Sequence, residues 1–127
     1  MKFTSQRIRN LIETCPIVRS SSVTYDKRSS YEGFIRGELH FVDGSILYLR
    51  EFVDVEMEVE RLMYVYQYMN AANGFVFRYD NTGHHKKLNI PTYPHHKHEG
   101  DEMSVVASSA PTLAEVLDEV AGLIQLP

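Results

Sequence analysis

The spacing of apolar positions changes twice along this chain, and each change marks an element boundary. Between Thr4 and about Glu13, Ile8, Leu11, Ile12 and Cys15 recur at i, i+3, i+4 and i+7, which gives a helix one apolar face. Pro16 stops it, because helical geometry is disfavoured at the residue before a proline. From Ile17 the period is two. Ile17 to Asp26 reads as a polar first strand. From Tyr31 to Val42, Ile35, Leu39 and Phe41 alternate with Glu32, Arg36, Glu38 and His40, a half-buried strand in which Gly33 and Gly37 suggest bulges or close approaches. Asp43-Gly44 is a hairpin turn, since both positions tolerate positive φ, and Ser45 to about Asp54 returns as its partner strand. Arg61 to Asn70 carries Tyr64, Tyr66 and Tyr68 on one face against Met63, Val65 and Met69 on the other, so both faces suit an interior. Asn73-Gly74 then turns the chain into Phe75 to Asp80.

Beyond Asn81 the periodicity stops. Gly83, Pro91, Pro94 and Gly100 interrupt the chain as far as about Met103, and an irregular stretch of that length in a compact domain usually carries function. Ser104 to Ser108 adds a short strand. Thr112-Leu-Ala-Glu115 is a capping box, and Leu113, Val116, Leu117, Val120 and Ile124 follow at helical spacing. The expected architecture is α+β: a single antiparallel β-meander of about four to six strands flanked by an N-terminal and a C-terminal helix, all in one domain over residues 1–127.

Composition adds limits. At 43% hydrophobic and 11% aromatic residues the chain can build one core without staples. The lone cysteine, Cys15, excludes an internal disulfide and fits a reducing compartment. The N-terminus lacks the apolar core of a signal peptide, and no apolar run approaches the roughly 18 residues of a membrane span, so the expected location is cytoplasmic, without a membrane partner. The apolar, tyrosine-rich sheet offers an edge through which a homodimer could form.

The net charge of −4 argues against a generally basic nucleic-acid binder, but the charge is uneven. Acidic residues gather from Glu51 to Glu60 and again at Glu99, Asp101 and Glu102, whereas the stretch from Arg78 to Lys97 is basic, with Lys86, Lys87 and Lys97. Five of the six histidines, His84, His85, His95, His96 and His98, fall within it or directly after it. Histidine changes charge near neutral pH and ligates transition metals. The bland alternative is a solvated loop whose histidines and lysines pair with the acidic residues after them. His40, among charged neighbours, reads as a surface residue.

The order of several signals resembles one family. Asp43-Gly44-Ser45, Leu49-Arg50-Glu51, the Tyr64/Tyr66/Tyr68 strand, Phe77-Arg78-Tyr79-Asp80-Asn81, Pro94-His95-His96-Lys97-His98 and the closing Pro-Thr-Leu-x-Glu-Val-Leu-Asp-Glu helix occur together in the TumE-like proteins, covering Tyr31 to Leu126. The resemblance implies the toxin component of a prokaryotic toxin–antitoxin pair, with a cognate antitoxin as protein partner. It brings no catalytic mechanism, so the roles of the matched positions are chemical inference.

Two chemistries use the same residues. Metal-free RNA cleavage needs a base, an acid and a cation on the phosphate. His96, His98 and His95 offer the acid and base, Arg78 the cation with Glu51 beside it, and Tyr79, Asp80, Asn81, Lys97 and Lys86 the substrate contacts. On an extended segment His96 and His98 point the same way and His95 the other. In the metal reading, His96 and His98 hold a divalent ion, with His84, His85, Glu51 or Asp80 completing the shell. Arg78, amid aromatics, needs a carboxylate, and either Glu51 or Asp80 could supply it. The leading reading is a ribonuclease-like toxin. The alternatives are a non-enzymatic protein- or nucleic-acid-binding module of an operon-encoded complex, and a metal-dependent phosphoesterase.

Overall fold

The computed structural model describes residues 2–83 and 90–124, with side chains from Ser5 onward. Helix α1 (Lys2–Glu13) leads into a seven-stranded antiparallel sheet, and helix α2 (Leu113–Leu123) closes the chain. The strands are β1 (Val18–Lys27), β2 (Glu32–Phe41), β3 (Ile46–Asp54), β4 (Glu60–Met69), β5 (Phe75–Asp80), β6 (His96–Glu99) and β7 (Val105–Ala107). Their spatial order is their sequence order, so every connection is local and the sheet is a pure meander. One strand exceeds the expected number. It is β6, which has no apolar alternation in His96-Lys97-His98-Glu99 to announce it and is a strand because it pairs with β5 and β7.

The core lies on one face of the sheet. Leu47, Leu49, Tyr64, Tyr66, Tyr68 and Phe77 turn inward, and Ile8 and Ile12 of α1 with Val116, Leu117 and Val120 of α2 close over them. Thr112 caps α2 as its sequence suggests: Glu115 N–H donates to the Thr112 hydroxyl, and Thr112 N–H donates to the Glu115 carboxylate at 3.0 Å. The tyrosine row is therefore interior.

Turn conformation sets the register. In the β2–β3 hairpin only Gly44 has positive φ (88°); Asp43 does not. Gly44 N–H donates to Phe41 O at 3.0 Å and Phe41 N–H to Ser45 O at 2.9 Å, a three-residue loop with its left-handed residue last. Ile35 consequently faces Glu51, and Arg36 faces Arg50. A two-residue Asp-Gly turn would have moved β3 by one residue and exchanged its faces. Gly37 is a close approach, since a Cβ there would collide with the Ser22 carbonyl.

Candidate functional site

The face that the helices leave uncovered carries polar rows running across the strands. Cross-strand pairing aligns Thr24, Arg36, Arg50, Val65, Asp80 and His96 in one row. A second row aligns Ser22, Glu38, Tyr48, Gln67, Arg78 and His98. Ser22, Thr24, Arg36, Tyr48, Arg50 and Gln67 border a shallow groove of 590 Å³ over this face. At its β5–β6 end the rows converge on one carboxylate.

That carboxylate is Asp80, fully buried. Its Oδ1 accepts the Thr82 N–H at 3.0 Å and the Thr82 hydroxyl at 2.7 Å. Its Oδ2 accepts Arg78 Nε–H at 2.9 Å, so Asp80 and not Glu51 is the arginine's partner. His96 Nε2 lies 2.9 Å from Oδ1 and His98 Nε2 lies 3.6 Å from Oδ2. The imidazole rings meet edge to face with centroids 5.0 Å apart. Burial by itself would raise the Asp80 carboxyl. The Thr82 bonds and the charges of His96 and Arg78 outweigh it and leave the group below its ordinary value.

The far nitrogens of both rings are also engaged. His96 Nδ1 is 2.9 Å from the Pro94 carbonyl, and His98 Nδ1 is 2.8 Å from the Glu102 carbonyl. A carbonyl oxygen only accepts, so each Nδ1 carries the proton and each Nε2 is the nitrogen turned to Asp80. Both histidines are buried, and Arg78, with its side chain 28% exposed, is the cluster's member nearest solvent.

The other candidate residues lie elsewhere. Glu51 is on the helix-covered face, where it accepts from the Tyr66 hydroxyl at 3.0 Å. It borders a cleft of 590 Å³ with Arg7, Ile8, Arg61 and Leu113, and its carboxyl is raised by burial, only partly offset by Tyr66 and Arg61. Tyr79 and Lys97 share that face: the Tyr79 hydroxyl donates to Glu119 at 2.6 Å, and Lys97 bridges Glu99 and Glu119 at 2.7 and 3.0 Å. Asn81 ties down strand β4, accepting from Tyr64 N–H at 3.0 Å and donating to Leu62 O at 3.2 Å. His95 stacks on Tyr64 and meets its hydroxyl at 2.8 Å through Nδ1. Burial pushes the Tyr64 phenol up to about 12, so it keeps its proton and can donate to that nitrogen. His84, His85, Lys86 and Lys87 lie outside the described residues. Arg36 and Arg50 are exposed members of the polar face that the histidine signal overshadowed; only the register of the hairpin puts them opposite each other.

The family model for Toxin TumE matches residues 8–124, from within α1 to just past the end of α2, and so spans the whole sheet with this cluster. The chain belongs to the TumE toxin family. Comparison with curated proteins and with solved structures finds no match. TumE membership implies an antitoxin partner, and the matched span contains Arg78, Asp80, His96 and His98. Among the described residues, no helix of this TumE-family chain is long and apolar enough to cross a membrane.

Proposed function

We propose that the chain is a cytoplasmic toxin, neutralised by a cognate antitoxin, that cleaves RNA at the Asp80–His96–His98 cluster. The convergence of two histidines and an arginine on one buried carboxylate, at the end of an arginine-bearing sheet face, carries this reading. Arg36 and Arg50 stand directly opposite each other, an arrangement that repels in a free protein and suits a phosphate backbone laid across the sheet. Strands are spaced by ~4.8 Å, so Arg50 on β3 is ~10 Å from Asp80 on β5, about the reach of a dinucleotide step or two. Among the described residues Arg78 uses only Nε toward Asp80, which leaves the remaining edge of its guanidinium for a phosphate oxygen.

The placement of the histidines bears on the chemistry. A metal-free acid–base pair must flank the scissile phosphate, yet His96 and His98 turn the same nitrogen toward the same carboxylate. The cluster is better suited to generating one nucleophile beside Arg78, which would bear the charge developing on the phosphate.

A second reading, a non-enzymatic RNA- or protein-binding module, draws on the complete burial of Asp80 and His96. End-labelled single-stranded RNA incubated with the purified chain separates the two. Discrete cleavage by the wild type, reduced at least ~100-fold in Arg78→Ala and in His98→Ala with binding retained, is the expected result. RNA bound but left intact by all three proteins would remove the catalytic reading and leave the binding one.

A further inference from the structure

We infer that Asp80, His96 and His98 form a binding site for a first-row divalent transition-metal ion, with zinc as its nearest chemical fit. The site deepens the ribonuclease reading, but metal binding is measured without RNA, so the two can fail separately.

The hydrogen bonds of the rings carry the argument. With Nδ1–H donated to the Pro94 and Glu102 carbonyls, His96 and His98 each turn Nε2 toward a carboxylate that Thr82 and Arg78 hold in place. Where those nitrogens carry no proton, their lone pairs and the carboxylate repel at 2.9 and 3.6 Å. An ion accepting from all three removes the repulsion. The alternative is a second proton on a ring, an imidazolium–carboxylate pair.

The geometry suits an ion. One donor atom from each of the three residues lies within 4.8 Å of the other two. Bonds of about 2.0–2.1 Å to a tetrahedral zinc place neighbouring ligand atoms ~3.3 Å apart, and His96 Nε2 to Oδ1 (2.9 Å) and His98 Nε2 to Oδ2 (3.6 Å), each measured to its own carboxylate oxygen, are within a few tenths of an ångström of that value. Imidazole Nδ1 donating to a backbone carbonyl is the outer-shell arrangement that orients metal-bound histidines. Thr82 and Arg78 fix the carboxylate in the same way. Two nitrogens in a set of three favour zinc and its neighbours over magnesium or calcium, which prefer oxygen. Among the described residues these three ligands would leave a fourth position, and an ion held by them would lower the pKa of a bound water to about 7 and so supply a nucleophile beside Arg78.

The test uses the full chain freed of metal by chelator. Calorimetric titration with zinc should give one ion per chain. His98→Ala should weaken binding at least ~100-fold while keeping the far-ultraviolet circular dichroism of the wild type, and His98→Gln serves if the alanine variant does not fold. A His40→Ala variant, on β2 and away from the cluster, should bind as the wild type does. On the wild type alone, nitrogen-15 spectra should show two imidazoles with protonated Nδ1 whose Nε2 resonances shift on adding zinc. Rings doubly protonated and indifferent to zinc would overturn the inference in favour of the imidazolium pair. Binding that survives in His98→Ala but disappears in a His84→Ala/His85→Ala variant would overturn it as well.

Discussion

At the scale of single residues, the partners a buried ionisable group meets decide what it does. Asp80 and Glu51 are both carboxylates on interior strands, yet their carboxyls move in opposite directions, because Asp80 accepts two bonds from Thr82 while Glu51 has one tyrosine hydroxyl inside an apolar cleft. A raised carboxyl binds its proton more tightly in the folded chain than in the unfolded one. Glu51 therefore contributes stability fully below its ordinary value of 4.5, and that contribution is lost as pH rises through the raised one. The charged and titratable groups bordering it are Tyr66 and Arg61 from β4 and Arg7 from α1. Glu51→Gln, whose carbonyl still accepts from Tyr66, should unfold at a higher urea concentration than the wild type at pH 7 and at nearly the same concentration at pH 4. A variant less stable at pH 7 would mean that attraction to Arg61 outweighs desolvation. Tyr66 and Glu51 were legible as residues of interest, but not as neighbours on the face away from the histidines.

Elements were legible wherever apolar spacing was regular. The periodicity of Ile8, Leu11 and Ile12, the alternation in β2 and the capping box at Thr112 all name elements that the fold contains. Strand β6 was invisible because its buried positions are histidines, whose burial depends on backbone carbonyls reached only after folding. Turn signals located the hairpins but not their loop lengths. In the second hairpin, Asn73 takes the positive φ (63°), with Asn70 Oδ1 accepting from Ala72 and Gly74 N–H at 3.0 and 2.8 Å. In the first, Gly44 does so alone, and a side chain there would meet a left-handed backbone. Gly44→Ala should cost about 1–2 kcal/mol in urea unfolding, with no clash to relieve, since its Cβ would sit 3.4 Å from the Ala71 side chain. A loss below a few tenths of a kcal/mol would show that the loop can re-form with another residue in the left-handed position.

At the scale of the whole molecule, the sheet divides the protein into a helix-covered core and an open polar face, and the register brings like charges together on the latter. If the open face tracks RNA, Arg36→Gln and Arg50→Gln should each weaken binding of a single-stranded oligonucleotide, and the double variant should lower the salt slope by about 1.4 for two phosphates. Fluorescence anisotropy across a potassium chloride series measures it. Because the arginines repel across the strands, either single change should leave the fold as stable as before or slightly more so, by about 0.2–1 kcal/mol. An unchanged salt slope would place the RNA track elsewhere.

The sequence by itself determined the α+β class, the two end helices, most strands of the meander and the segment in which the histidines gather. These follow from local periodicity, caps and turn residues, which need no partner to be read. Only the tertiary structure decided that Asp80 and not Glu51 joins His96 and His98, that Tyr79 and Lys97 face the helices, and that Arg36 meets Arg50. Those outcomes depend on strand register, and a single residue in the Gly44 loop separates two registers that place every β3 side chain on opposite faces.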